Sequence, residues 1–239
     1  MTKPMFIDDA YLRDADARVF AVTDEGGIIL DASIFYATGG GQPGDSGTLT
    51  WQGGAIDIAT AVKGEGGTII LVPAEPNPLP DVGTIVTQSL NWERRHRHMR
   101  VHTALHLLSV VIPLSVTGGS IGPEKGRLDF DMPDAIADKG TLENKLNELI
   151  DCDFDISIEW IDESELAANL ELVKTMFVAP PKGAGRIRMV RIGAGENTAD
   201  YQPCGGTHVR NTSEIGRVRL GKVEKKGKQN RRVYLHLDT

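Results

Sequence analysis

Between residues 18 and 92, apolar and polar positions alternate in short runs broken by glycine: RVFAV, GGIILDASIFY, GTLTW, AIDIATAV, GTIILV and GTIVTQSL. Runs of this length, with turn residues every eight to twelve positions, predict a compact unit of barrel or sandwich type. The Pro-rich PAEPNPLP at 73–80 reads as a loop within it. Near Asn91 the pattern changes. ERRHRHMRVHTALHLLSVVI has good helix formers and no glycine, and sets Val101, Leu105, Leu108 and Ile112 at helical spacing before Pro113. One long, largely buried helix is expected there. TLENKLNELI predicts a second helix with Leu142, Leu146 and Leu149 on one stripe, and FDISIEWI alternates as a strand. DESELAANLELV reads as a helix opened by Asp162, with Glu165 three residues on as in a capping box. GRIRMVRIG reads as a strand, and GRVRLGKVE with RRVYLHL as a hairpin joined by KKGKQN. The fold class is α+β: a small N-terminal β-barrel-like domain, 1–90, and a C-terminal α/β domain, 91–239, with an antiparallel sheet and a long helix.

Composition changes this picture little. At 40% hydrophobic and 25% charged residues the chain reads as an ordinary soluble protein, with no apolar run near the ~20 residues of a membrane span. Acidic residues occupy MTKPMFIDDAYL where a signal peptide would have its apolar core, so a cytoplasmic location is expected. Charge matters more. The net charge of −7 hides a gradient: residues 1–90 hold 4 basic and 12 acidic side chains, whereas 204–239 hold 9 basic and 3 acidic. Attraction for phosphate depends on the field within a Debye length, ~8–10 Å, so a basic tail can face a polyanion in an acidic protein. Lys222, Lys225, Lys226, Lys228, Arg231 and Arg232, with Arg94, Arg95 and Arg97, are the candidate backbone contacts. The other reading is a solvated hairpin face.

Two histidines stand where leucines are wanted. In RVHTALHLLS, His102 and His106 lie four apart on one face of the expected helix, close enough for both imidazoles to reach one ion. Burying two such rings is costly without partners; backbone carbonyls would serve, and so would a metal. YQPCGGTHVR repeats the spacing with Cys204 and His208, and its glycines let the backbone turn tightly. Three nitrogens and one sulfur suit tetrahedral Zn²⁺. His98, one turn earlier, is a further candidate ligand but ranks below His102, because it sits in the basic RRHRHMR stretch and lies a turn further out. Four protein ligands usually close a site, but one pair here lies on a core helix that needs no staple, which favours catalysis. GGGQPG lacks the Lys-Ser/Thr ending of a phosphate-binding loop, so Gly39, Gly40 and Gly41 serve either a close backbone approach or a plain turn.

With both pairs in view, HTALH and CGGTH, separated by GPEKGRLDFDM and preceded by the glycine-rich FYATGGGQPGDSG at 35–47, resemble the editing domain of alanyl-tRNA synthetases and the free-standing AlaX-type trans-editing proteins. The likeness runs from about Phe35 to Leu237. It implies a zinc-dependent aminoacyl-tRNA deacylase that removes serine, and in some members glycine, from tRNA(Ala), and a barrel-like domain packed on an editing domain. One zinc per chain falls on His102, His106, Cys204 and His208. Thr38 matches a threonine that lies near the bound amino-acid side chain in related proteins, although it also reads as an ordinary strand-end threonine, and Gly39, Gly40 and Gly41 are expected to let the backbone approach the tRNA terminus or the partner domain. The hairpin ending at Thr239 implies that the extra C-terminal domain of longer members is absent. The alternative function is a zinc-stabilised RNA-binding module without hydrolysis.

Overall fold

The glycine-punctuated runs are strands: β1 (Lys3–Pro4), β2 (Asp14–Val22), β3 (Ile28–Leu30), β4 (Ala32–Ser33), β5 (Gly47–Trp51), β6 (Gly54–Lys63), β7 (Ile69–Pro73) and β8 (Ile85–Leu90). Six of them close in the order β2-β3-β7-β6-β5-β8, so the expected barrel or sandwich is a closed barrel. β1 and β4 form a parallel pair. Side chains alternate inward along β6 at Ile56 and Ile58; the register against β7 then shifts between Ile58 and Thr60, and Ala61 becomes the next buried position. A bulge of this kind adds one residue and reverses the phase. Val19, Ile28, Leu30, Leu49, Leu71 and Val86 meet Phe35 in the barrel core. The coordinates are a computed structural model describing residues 1–134, 136, 138–169, 172–174 and 185–238. They form two compact units, Met1–His96 and Arg97–Thr239.

The glycine-rich segment of the first unit is a tight turn. Gly39 and Gln42 exchange backbone hydrogen bonds of 3.1 and 2.9 Å, and Gly40 and Gly41 between them have φ of 56° and 82°. Two consecutive positive φ values define a type I′ turn, which only residues without a Cβ penalty enter cheaply. Gly44 is required for another reason: a Cβ there would stand 2.0 Å from the Ala61 carbonyl oxygen. Beyond it, Asp45 and Arg95 form an ion pair with side chains 1% and 0% exposed. Arg95 is therefore no phosphate contact. Its charge serves the interior of the first unit, where its Nη atoms also donate to the carbonyls of Ala10 (2.8 Å) and Ile34 (2.7 Å).

Helix α1 (Trp92–Val111) starts after Asn91, whose side chain accepts from the Arg94 N–H at 3.1 Å. Every residue from 101 to 109 is buried, so the helix carries no polar stripe there. The second unit continues with β9 (Val116–Ile121), β10 (Lys125–Asp131), α2 (Lys139–Asp151), β11 (Ile156–Asp162), α3 (Glu163–Ala168), β12 (Arg186–Ile192), β13 (Asp200–Pro203), β14 (Val218–Lys225) and β15 (Asn230–Leu237). Two antiparallel sheets result, of order β14-β15-β10-β9 and β11-β12-β13.

Two details depart from the sequence reading. The buried face of α2 is Leu146, Asn147 and Ile150, with Leu142 and Leu149 only half-buried. Asn147 belongs there because its amide acts like a strand backbone: Nδ2 donates to the Val218 carbonyl at 2.9 Å and Oδ1 accepts the Val218 N–H at 3.0 Å. Asp162 flanks α3 without a side-chain cap, and the reciprocal capping box is instead that of Asn211 and Glu214 on a short 3₁₀ turn, Thr212–Ile215. Residues 170 and 171 of the expected helix lie outside the described residues.

Candidate metal centre

The second unit brings the two sequence pairs together. His102 and His106 come from the buried middle of α1, and Cys204 and His208 from the turn that follows β13; one ligand atom from each lies within 4.8 Å of all the others. The Cys204 Sγ stands 3.5 Å from His102 Nε2 and 3.3 Å from His208 Nε2. A zinc ion with Zn–S of about 2.3 Å and Zn–N of about 2.05 Å in a tetrahedron separates sulfur from nitrogen by about 3.6 Å. The donor types and their spacings fit that ion. His98 is buried but stands outside the cluster. The three histidines are buried and Cys204 is partly buried.

What surrounds the donors fixes their tautomers. His106 Nδ1 donates to Asp200 Oδ2 at 2.9 Å, which in the neutral ring leaves Nε2 with its lone pair. Asp200 is held in turn by Gln202 Nε2 (2.7 Å) and Lys174 Nζ (2.5 Å). The Thr103 hydroxyl donates to the Met99 carbonyl at 3.0 Å, so it accepts from His208 Nδ1 at 3.1 Å and again frees Nε2. Arg188 pins the turn through the carbonyls of Cys204 (2.6 Å) and Gly206 (3.0 Å), while the Gly206 N–H donates to the Cys204 sulfur at 3.4 Å. These are the carboxylate and hydroxyl supports that metal-bound histidines ordinarily have.

Charge follows the same geometry. Burial would raise the Cys204 thiol, but the His102 and His208 rings beside it hold it well below the usual thiol range. Burial and the neighbouring His102 push His208 down to about 3. For His106 burial is outweighed by the Asp200 hydrogen bond and by Cys204, which raise it to about 9. Asp200, buried but paired with His106 and Lys174, is held at about 2. A thiolate and a neutral His208 suit a divalent cation, whereas at neutral pH His106 carries a proton on Nε2 that a cation must displace on binding. Asp200→Asn should weaken metal binding ~10–100-fold while leaving all four ligands in place, a difference read by chelator competition.

None of Asp200, Gln202, Thr103, Arg188 or Lys174 was singled out from the sequence. One signal was present: Asp200, Gln202 and Cys204 sit at alternate positions, as residues sharing one strand face do. The basic hairpin is less available than its composition suggests. Lys222 and Lys226 pair with Glu224, Arg232 pairs with Asp129, and Arg231 donates to the carbonyls of Pro133 and Asp134. Lys225 and Lys228 are exposed, Arg94 donates to the Gly44 carbonyl at 2.7 Å, and Arg97 faces Glu124 at 3.6 Å. Thr38 and the Gly39–Gly41 turn belong to the first unit. There the Thr38 hydroxyl donates to the Ala61 carbonyl (3.2 Å) and accepts from the Gly44 N–H (2.8 Å).

Residues 187–234 match the threonyl and alanyl tRNA synthetase second additional domain, and residues 11–94 match the class II (A) tRNA synthetases. Over 247 residues, 99% of both chains, the protein is 32% identical to the alanyl-tRNA editing protein AlaX-M of Methanosarcina acetivorans. The chain belongs to the AlaX-M family. The AlaX-M of Saccharolobus solfataricus is 35% identical over 98% of each chain. An alanine–tRNA ligase of Pyrobaculum arsenaticum is 34% identical over 94% of this chain but only 25% of its own length. In this AlaX-M chain Cys204 and His208 fall inside the matched second additional domain, and His102 and His106 precede it.

Proposed function

We propose that the protein hydrolyses the ester between a wrongly attached amino acid and tRNA(Ala), with serine as its main substrate and glycine as a second. A zinc ion on His102, His106, Cys204 and His208 serves as cofactor. The observation that carries this reading is the convergence of the four donors within 4.8 Å in a chain aligned end to end with editing proteins. When bound, zinc supplies a polarised ester carbonyl or a water acidified toward pH ~7. The rest is positioning. Asp200 and Thr103 hold a proton of His106 and of His208 on Nδ1, Arg188 keeps the cysteine turn in place, and the buried helix holds His102 and His106 away from bulk water. Water adds its oxygen to the acyl carbon, the ester C–O bond breaks, and the ribose oxygen leaves as a hydroxyl with a proton from that water. That leaving group needs little further activation, so no nucleophilic side chain is required.

The test is to incubate the purified protein with seryl-, glycyl- and alanyl-tRNA(Ala), before and after chelation. The seryl ester should disappear faster than the alanyl ester, and chelation should stop the loss until zinc is restored. A seryl ester that persists would end the hydrolase reading and leave a zinc-stabilised RNA-binding module. Both AlaX-M readings have tRNA as partner, and no helix among the described residues is long and apolar enough to cross a membrane.

Discrimination is assigned to Thr38. Its hydroxyl has one lone pair left after its two bonds within the loop, enough to accept a hydrogen bond from a seryl side chain. Sites that bond a substrate hydroxyl reject the analogue lacking it by a large factor. Thr38→Val should lower the serine-over-alanine ratio roughly tenfold, the value of one hydrogen bond of about 1.4 kcal/mol, and Thr38→Ser should keep it. Paired deacylation time courses give the ratio; a ratio unchanged in the valine variant excludes the role.

A further inference from the structure

The three-stranded sheet β11-β12-β13 has one face tied to the metal centre. From β13 that face carries Asp200, which accepts from His106, and Gln202, which donates to Asp200, and from β12 Arg188, which holds the cysteine turn. Strand pairing extends the same face outward: Gln202 pairs with Val190 and Val190 with Ile158, and Arg188 pairs with Trp160. Directly paired residues project to the same side of a sheet. On β12 and β13, Arg188, Val190, Ile192, Asp200 and Gln202 are all buried, yet on β11 Ile158 and Trp160 are 38% and 42% exposed. Among the described residues, the cover over this face ends one strand short of its edge.

What stands uncovered there has a chemical character. Trp160 is the most exposed aromatic ring among the described residues of the second unit. Beside it, on the same face, is Arg186, exposed and donating to the Trp160 carbonyl at 3.3 Å; among the described residues it makes no ion pair. An open indole next to an exposed guanidinium that the Trp160 carbonyl holds beside it matches a nucleotide, because the ring stacks on a base and the cation meets the phosphate. The position fits as well. Trp160 lies one strand spacing, ~4.8 Å, from Arg188, whose guanidinium bonds the carbonyl of the metal donor Cys204. In an aminoacyl ester the base is one ribose away from the bond that breaks.

Resting on the function proposed above, the geometry points to Trp160 and Arg186 as the platform for the terminal nucleotide of the acceptor end. Trp160 stacks the base, Arg186 contacts the phosphate on its 5′ side, and Ile158 borders the ring. The pair positions the ester over the metal donors without reading sequence, since every base has a face to stack.

The experiment uses the full zinc-loaded chain and two readouts. In the first, steady-state deacylation of seryl-tRNA(Ala), Trp160→Ala should raise KM about tenfold with kcat within about threefold, Trp160→Phe should restore most of the loss, and Arg186→Gln should lower the salt slope of 1/KM by about one. The second is binding of an uncharged acceptor-stem hairpin with its single-stranded 3′ end, against the same hairpin lacking the terminal adenosine. The wild-type protein should prefer the intact hairpin about tenfold, and Trp160→Ala should abolish the preference. An alanine variant with wild-type KM and intact preference overturns the platform. So does one whose preference is intact but whose sedimenting mass has fallen, since the open edge of β11 would then be covered by a second copy. If wild-type protein leaves the seryl ester untouched, the hydrolase reading fails, while the hairpin comparison still decides the platform by itself.

Discussion

Cys204→Ala is expected to remove zinc and deacylation together, with metal affinity falling by more than the ~100-fold typical of losing a supporting residue. The reason lies in what the sulfur does among the three rings. It stands 3.3–3.5 Å from two Nε2 atoms and receives the Gly206 N–H, and the imidazoles beside it hold it as a thiolate, so it carries the anionic charge of the ligand set. Alanine leaves three imidazoles with no anionic ligand among them. His106→Ala should act in the same direction and strand Asp200, a buried carboxylate left with Lys174 and Gln202. Atomic absorption on the purified variants gives the zinc content and seryl-tRNA(Ala) hydrolysis gives the rate; full activity in a metal-free variant would refute the chemistry. Circular dichroism separates metal loss from unfolding. The helix that carries His102 and His106 is buried by its own apolar residues, Val101, Leu105 and Leu108 among them, so it should persist in the cysteine variant.

The barrel and the long helix were readable because each depends on a local period. Alternation in RVFAV and AIDIATAV shows itself within five to eight residues, and glycine marks the turns between strands. The four clustered side chains were readable for a related reason: each pair is itself local, four residues apart, and only the meeting of the pairs is not. What escaped the sequence is what no period announces. β9, in SVTGGSIG, has two glycines where alternation needs side chains, and β13 is four residues long with buried Asp200 and Gln202 in places where apolar residues were expected. Both strands are held by neighbours in their sheets, so pairing rather than propensity decides them. Arg95 misled for the converse reason: a charge in a basic run, ERRHRHMR, gives no sign of the carboxylate fifty residues earlier that takes it inside.

That same pair carries the second large prediction. Asp45→Asn should destabilise the first unit by about 3–5 kcal/mol, the cost of leaving a buried charge without its counter-ion. The Asp45 carboxylate accepts from Arg95 Nε at 2.9 Å, from Arg95 Nη2, and from the Tyr36 N–H at 2.6 Å. An asparagine keeps the shape and one acceptor oxygen but turns its other end into a donor facing a guanidinium that has only donors. Arg95 cannot release its proton to escape, and with 0% exposure it has no water to turn to. Asp45→Glu retains the charge but adds a methylene in a packed interior, at a smaller cost of about 1–3 kcal/mol. Urea denaturation followed by Trp51 and Trp92 fluorescence should place the midpoints in the order wild type, Glu, Asn. A double variant, Asp45→Leu with Arg95→Met, should recover much of the loss, because replacing a buried pair by apolar residues of similar volume is often neutral. If the asparagine variant unfolds at the wild-type midpoint, the pair contributes no stability and Arg95 is held by the Ala10 and Ile34 carbonyls alone.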